Sequence, residues 1–319
     1  MEKDVKQINE LLGIKYPIIV APMFLISNVS MVIEAIRAGC TAAIPALNYR
    51  TSDALRSAIR KIKSTEKGPI GINLIVNKSN FRLKKDLDVC LEEGVDFYIT
   101  SLGNPKMVIE KAHEKNQLVF CDVVNELYAQ KVEALGADAV IAVNSSAGGH
   151  AGPKNMEDLV GTLRKSISIP IISAGGVSSA THVKQALDAG AAGVSVGTIF
   201  IASDEAPVTD EYKQAMVDFG KDDIVMTTRL SGTPCTVIKT PYVEKIGLEP
   251  SWLERLMKKY SGLKKIIKAI LFIRGMKKLR KSAFGFSYKM VWCAGPSIEG
   301  VKSIRPMKEI IKELVDGLN

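Results

Sequence analysis

Through the first 200 residues the chain repeats one unit. A short apolar run ends in small or polar residues, and a stretch whose apolar positions recur at helical spacing follows it. The runs are Pro17–Val20, Thr41–Ile44, Ile70–Asn73, Phe97–Thr100, Leu118–Cys121, Ala139–Val143, Pro170–Ser173 and Gly193–Val196. The helical stretches between them are Val29–Ala38, Ser52–Ile62, Leu83–Glu93, Pro105–His113, Glu126–Leu135, Met156–Ser166 and Ser178–Ala189. Four of these end on a glycine just ahead of the next run, at Gly39, Gly94, Gly136 and Gly190, where a left-handed helix cap is expected.

Strands that are apolar throughout are buried on both faces, as in a parallel sheet covered by helices. Eight βα units are the number that closes a barrel. The expected fold is therefore α/β, a (β/α)8 TIM barrel, in preference to an open doubly wound sheet. Past Thr198 the rhythm changes. Asp210–Phe219 has helical spacing, Thr227–Pro234 is rich in turn formers, and Pro306–Leu318 is amphipathic. The expectation is a barrel made of residues 1–205 and 301–319. A smaller helical cap or lid, residues 206–300, is inserted before the last barrel helix.

Composition narrows the class. The 319 residues are 46% hydrophobic, enough for a full core. The five cysteines are scattered without a C-x-x-C pair, which argues against a zinc site or a disulfide framework and for a reducing, cytoplasmic compartment. The apolar run Ile266–Ile273 is broken by Lys268 and is far shorter than a membrane span, so no transmembrane segment is expected. Of the net charge of +9, the segment 251–290 holds twelve Lys and Arg against the single acid Glu254. Such a segment is a solvated helical face or a docking patch for an acidic partner such as an acyl carrier protein. Nucleic acid is not expected, because aromatic residues are few and no binding motif is present.

In a barrel of this kind the chemistry lies at the carboxyl ends of the strands. Those ends read Ala21-Pro22-Met23, Pro45-Ala46, Asn73, Ser101, Asp122, Ser146 to His150, Ala174-Gly175-Gly176 and Gly197-Thr198. They hold no carboxylate pair, no metal cluster and no Ser-His-Asp set, which suits a site whose hard chemistry belongs to an organic cofactor. Ser173-Ala-Gly-Gly-Val177 and Val196-Gly-Thr198 read as a phosphate cradle on adjacent strands. The loop Asn144–Gly152 delivers His150, the one side chain there able to exchange a proton near neutral pH. His113 and His182 lie in helical stretches and read as solvated or packed residues, and Cys121 as core filler.

Asn144-Ser-Ser-Ala-Gly-Gly-His-Ala-Gly152, Ile169–Val177 and Gly190–Thr198 together resemble the nitronate monooxygenase (2-nitropropane dioxygenase) family of FMN proteins. Ile18–Met23, Gly71–Leu74 and Val291–Gly295 extend the resemblance over nearly the whole chain. The resemblance implies a barrel with bound FMN. Ala21, Pro22 and Met23 would back the isoalloxazine ring, Asn73 would bond its edge, and Lys131 would stand near its pyrimidine side. Gly148 and Gly149 would approach the cofactor, and Ala174, Gly175, Gly176, Gly197 and Thr198 would line its phosphate site. His150 would face the substrate as general base, or as a protonated partner for its negative charge.

Family members often carry Thr where Ile75 stands and Gln where Pro296 stands. Here Ser203-Asp-Glu-Ala206 replaces an acidic-Ser pair after the eighth strand. The implied activity is oxidation of a small alkyl nitronate by O2 to a carbonyl compound and nitrite. The alternatives are an NAD(P)H-dependent FMN enoyl-acyl-carrier-protein reductase, an NADH:quinone reductase, and a non-catalytic flavin-binding protein. Besides the small-molecule substrate, a nitronate or an enoyl thioester, the resemblance is compatible with a homodimer.

Overall fold

The computed structural model describes residues 6–228, 234–248 and 291–318. Eight parallel strands, β1 (Ile18–Val20), β2 (Thr41–Pro45), β3 (Ile70–Ile75), β4 (Phe97–Ser101), β5 (Leu118–Val123), β6 (Ala139–Val143), β7 (Ile171–Ala174) and β8 (Gly193–Val196), form a closed barrel in sequence order. Closure is direct: Ile19 of β1 is in register with Thr41 of β2 on one side and Ser195 of β8 on the other.

The continuous apolar runs are explained by two cores. Ile19, Ala43, Phe97, Ile99, Phe120, Ile141 and Ile172 point into the barrel, whereas their neighbours Ile18, Val20, Ala42, Ile44, Tyr98, Val119 and Val140 pack outward under the helices. The interior is filled at its lower end by Phe97 stacked on Phe120, with ring centroids 5.2 Å apart. A Cβ on Gly71 would come within 2.3 Å of the Phe97 ring, so glycine at that position of β3 makes room for the phenyl group. A short helix that the pattern did not reveal, α1 (Ile8–Leu12), places the fully buried Ile8 among the inward residues and bonds to the barrel through Ile8 N–H to Ala192 O at 2.9 Å.

The helices of the repeat are α2 (Val29–Arg37), α3 (Ser52–Thr65), α4 (Leu83–Glu93), α5 (Lys106–His113), α6 (Glu126–Ala134), α7 (Met156–Ser166) and α8 (Ala180–Asp188). Asn28, Thr51, Asn125, Asn155 and Ser179 cap the N-termini of α2, α3, α6, α7 and α8 by accepting a backbone N–H. All four predicted glycine stops sit at positive φ, as a left-handed cap requires.

Between β8 and the end of the chain, α9 (Asp210–Asp218) is followed by two antiparallel strands, β9 (Ile224–Thr227) and β10 (Cys235–Ile238), and by α10 (Pro241–Ile246). The segment read as a helical cover therefore contains a β-ribbon as well. Its strands are the β-branched runs on either side of the turn-rich stretch Thr227–Pro234. The basic segment 251–290 lies outside the described residues. The final helix, α11 (Met307–Leu314), packs against both α8 and α2 and completes the helical ring.

Candidate active site

A cavity of about 800 Å³ opens at the carboxyl ends of the barrel strands. The structure brings all thirteen residues singled out above into its wall: Ala21, Pro22, Met23, Asn73, Lys131, Gly148, Gly149, His150, Ala174, Gly175, Gly176, Gly197 and Thr198. His182 and Cys121 are not in the wall, and His113 pairs on the surface with Asp138 at 3.0 Å. No group of three or more metal-ligating side chains occurs among the described residues.

The loop after β1 is held in shape by side chains. Ser27 Oγ accepts from Met23 N–H at 2.8 Å and donates to Ala21 O at 3.0 Å. Asn48 donates to Ser27 O at 2.8 Å and Met23 O at 3.2 Å, and accepts from Leu25 N–H at 2.8 Å. Leu25 needs this support, since its φ of 65° is a conformation that a branched side chain rarely takes. Leu102, also in the wall, has a φ of 60°. Residues held in such conformations collect at functional sites, where the surrounding structure over-determines them. Asn48→Ala is expected to destabilise the protein by about 2 kcal/mol, because it strands buried backbone groups of this loop. Urea denaturation of the variant beside the parent checks this.

The ends of β7 and β8 form a cradle. Gly175 and Gly176 have φ of 115° and 84°, and a Cβ on Gly175 would lie 2.4 Å from Asn144 Oδ1 and 2.6 Å from Ala147 N. Asn144 itself fixes the turn, donating from Nδ2 to Gly175 O at 3.0 Å and accepting from Ser146 N–H at 2.8 Å. The amides of Gly176 and Val177, just ahead of α8, donate to no acceptor among the described residues. Across the cradle, Thr198 Oγ1 accepts from Gly295 N–H at 3.0 Å, which leaves its own proton free to donate. Free amides at a helix N-terminus with an adjacent hydroxyl suit a phosphate group.

The glycine loop that carries His150 is tied to the ribbon. Thr236 N–H donates to Gly149 O at 2.8 Å, and Thr236 Oγ1 donates to Ala147 O at 2.8 Å. His150 is exposed on the cavity side of that loop. Lys131, on α6, is exposed at the same cavity. Cys235 of β10 and Cys293, which is bridged to Val237 of the same strand, are two further wall residues that sequence gave no reason to pair, with Sγ atoms 3.8 Å apart. Hydrogen bonding between these thiols lowers the Cys293 thiol from its ordinary value against the effect of burial, and together with burial raises that of Cys235.

Three further strands contribute a polar chain. Asn73 Nδ2 donates to Ile99 O at 3.1 Å and to Ser101 Oγ at 2.8 Å, and Ser101 Oγ donates to Asp122 Oδ2 at 2.5 Å. Burial pushes the Asp122 carboxyl from its ordinary 3.8 up to about 6, with the Ser101 bond acting in the opposite direction. A carboxyl with a raised folded-state value contributes stability that is present in acid and lost as pH rises through about 4 to about 6. Asp122→Asn is therefore expected to be more stable than the parent at pH 8, by about 2 kcal/mol, with the gap closing towards pH 4. Denaturation at the two pH values measures it. Ser101 and Asp122 were legible only as strand ends, because nothing local in the sequence marks them as partners.

Comparison with known proteins places this cavity in a family. Residues 79–317 match the model of the nitronate monooxygenase domain. The chain is 31% identical over 242 residues, 75% of its length and 67% of the relative, to a (3aS,4S,5R,7aS)-5-hydroxy-7a-methyl-1-oxo-octahydro-1H-indene-4-carboxyl-CoA dehydrogenase of Mycobacterium tuberculosis. It is 26% identical over 273 residues, 70% of its length and 73% of the relative, to a nitronate monooxygenase of Paraburkholderia phytofirmans. Among solved structures, FabK of Thermotoga maritima superposes with a TM-score of 0.84 at 28% identity, over 98% of this chain and 96% of that one. The chain is an enzyme, and it belongs to the nitronate monooxygenase family.

Proposed function

We propose that the protein is an FMN-dependent oxidoreductase that oxidises alkyl nitronates with O2 to a carbonyl compound and nitrite. The observation that carries this reading is the convergence in one cavity of a glycine cradle at β7 and β8, an amide at the end of β3, and His150 on a glycine loop. The residues fit the cofactor. Gly175, Gly176, Gly197 and Thr198, with the free amides of Gly176 and Val177, would hold its phosphate. Ala21, Pro22 and Met23 form an apolar wall held by Ser27 and Asn48, suited to the face of a flat ring. Both Nδ2 hydrogens of Asn73 are already used within the protein, so what it offers a ligand is the acceptor Oδ1.

FMN held there would supply the redox chemistry that links the substrate to oxygen. The chain's own residues do the rest. Lys131 places a cation at the cavity and so would stabilise negative charge that accumulates there. His150 faces the substrate as general base or, when protonated, as a partner for its negative charge. The described part of residues 206–300 borders the site: Cys235, Val291, Cys293 and Ser297 are in the wall, and β10 is bonded to the His150 loop. Among the described residues no helix is long and apolar enough to cross a membrane.

A second reading is favoured by the Mycobacterium relative, whose name is that of a CoA thioester dehydrogenase. Here NAD(P)H or a thioester would exchange electrons with the same cofactor, and the basic segment 251–290 would dock an acidic carrier protein. Two assays separate the readings. Nitrite release from propyl-2-nitronate under air, without bleaching by NADH under anaerobic conditions, is expected for the first. Rapid anaerobic bleaching by NADH with no nitrite release would replace it with the second.

A further inference from the structure

Asp122 is the one carboxyl group in the cavity wall among the described residues, and the activity proposed above leaves it without a task. Its hydrogen-bond chain has a fixed direction. Ile99 O can only accept, so the Asn73 atom facing both it and Ser101 is the amide nitrogen. Ser101 Oγ therefore accepts from Asn73 and has a single proton left to give, which goes to Asp122 Oδ2 at 2.5 Å. An oxygen receiving that proton at such a distance is not itself the protonated one. When the carboxyl is neutral its proton must be on Oδ1. Among the described residues the one side-chain hydrogen bond of Asp122 is made by Oδ2, which leaves Oδ1 without a partner, and Asp122 is only partly buried where it meets the cavity.

No charge nearby forces either state. From α6, Tyr128 donates its hydroxyl to Gly103 O, and Lys131 forms no ion pair with Asp122 among the described residues. On β5 the adjacent Cys121 is turned into the outer core, where its sulfur accepts from Thr100 Oγ1. On β6 the wall is apolar, Ile141 and Val143, and beyond it stands His150.

We propose that Asp122 is a second acid–base residue of this pocket, which donates a proton from Oδ1 to an electron-rich oxygen or nitrogen of the bound molecule and regains it from solvent between turnovers. Ser101 is its positioning residue: it fixes which oxygen carries the proton and favours the carboxylate. The ligand class this suits is a conjugate base, such as a nitronate or an enolate, whose charge builds on a heteroatom. The inference rests on the reading that the reacting molecule occupies this cavity.

The test is an infrared difference titration between about pH 4 and pH 8, with and without FMN, joined to the pH profile of kcat/KM for propyl-2-nitronate. The parent protein is expected to show a carboxylic-acid C=O band that disappears with a midpoint near 6, the value burial gives this group. Asp122→Asn should lack the band, lose the corresponding break in the pH profile and lower kcat/KM by about 100-fold. Ser101→Ala should keep both, with midpoints moved upward, because the carboxylate loses its donor. A parent without the band, an Asp122→Asn protein that retains it, or a profile unchanged in that variant overturns the inference. Failure of the parent to take up FMN would sink the proposed function, while the titration on the FMN-free protein still decides the state of Asp122.

Discussion

Gly175→Ala is expected to abolish cofactor retention and to destabilise the fold by about 3 kcal/mol or more. Two effects act together. The φ of 115° is strained for any residue with a Cβ, and the added methyl would meet Asn144 Oδ1 at 2.4 Å and the Ala147 backbone at 2.6 Å. Neither neighbour can yield cheaply. Asn144 is buried and bonded to Gly175 O and Ser146 N–H, and Ala147 O is fixed by Thr236. Displacing Asn144 would also disturb the loop that carries His150. Gly149→Ala is the control. Its φ of 76° carries similar strain, but a Cβ there would meet nothing within 4 Å, so the expected cost is only about 1 kcal/mol. The difference between the two variants in thermal denaturation isolates the collision from the backbone strain. Equal losses would mean that the cradle is not packed as described.

His150→Ala is expected to lower kcat/KM for the nitronate by about 100- to 10,000-fold, the range lost when a positioned acid–base group is removed. The side chain follows the glycine pair and lines the cavity from a loop anchored to β10, so its removal takes away the imidazole without touching the cradle. FMN content and the visible spectrum should therefore match the parent. Steady-state nitrite release, measured beside the spectrum, checks both halves. An active variant would remove His150 from the chemistry, and a variant that lost FMN would assign the residue to binding instead.

The barrel was readable because its strands are buried on both faces. Runs such as Ala139–Val143 and Gly193–Val196 need no alternation to be recognised, and glycine stops such as Gly94 and Gly136 mark the helix ends. The strand ends were readable for the same reason, since in a parallel barrel they all face one way. The remainder depends on contacts that no local pattern records. Ile8 is the one fully buried residue of the five-residue α1, with Leu11 and Leu12 packed beside it, and only the open end of the barrel explains its burial. The β9–β10 ribbon left little trace in the sequence, because the strands beside the stretch of turn formers Thr227–Pro234 are only four residues each. The Asn73–Ser101–Asp122 chain joins three strands through register, with Asn73 beside Ile99 and Ser101 beside Ile75, and residues 21 to 28 positions apart give no signal of that in sequence. Cys235 and Cys293, separated by 58 positions, meet for the same kind of reason.

What most directly tests the account is whether this cavity holds FMN. Purified protein stripped of small molecules should be titrated with FMN under native conditions, with binding followed by quenching of the cofactor's fluorescence. Saturation at one FMN per chain is predicted, with the parent's absorption spectrum restored and with stoichiometric binding lost in Gly175→Ala. A parent protein that stays colourless and leaves the fluorescence of added FMN unchanged would contradict the account at its centre.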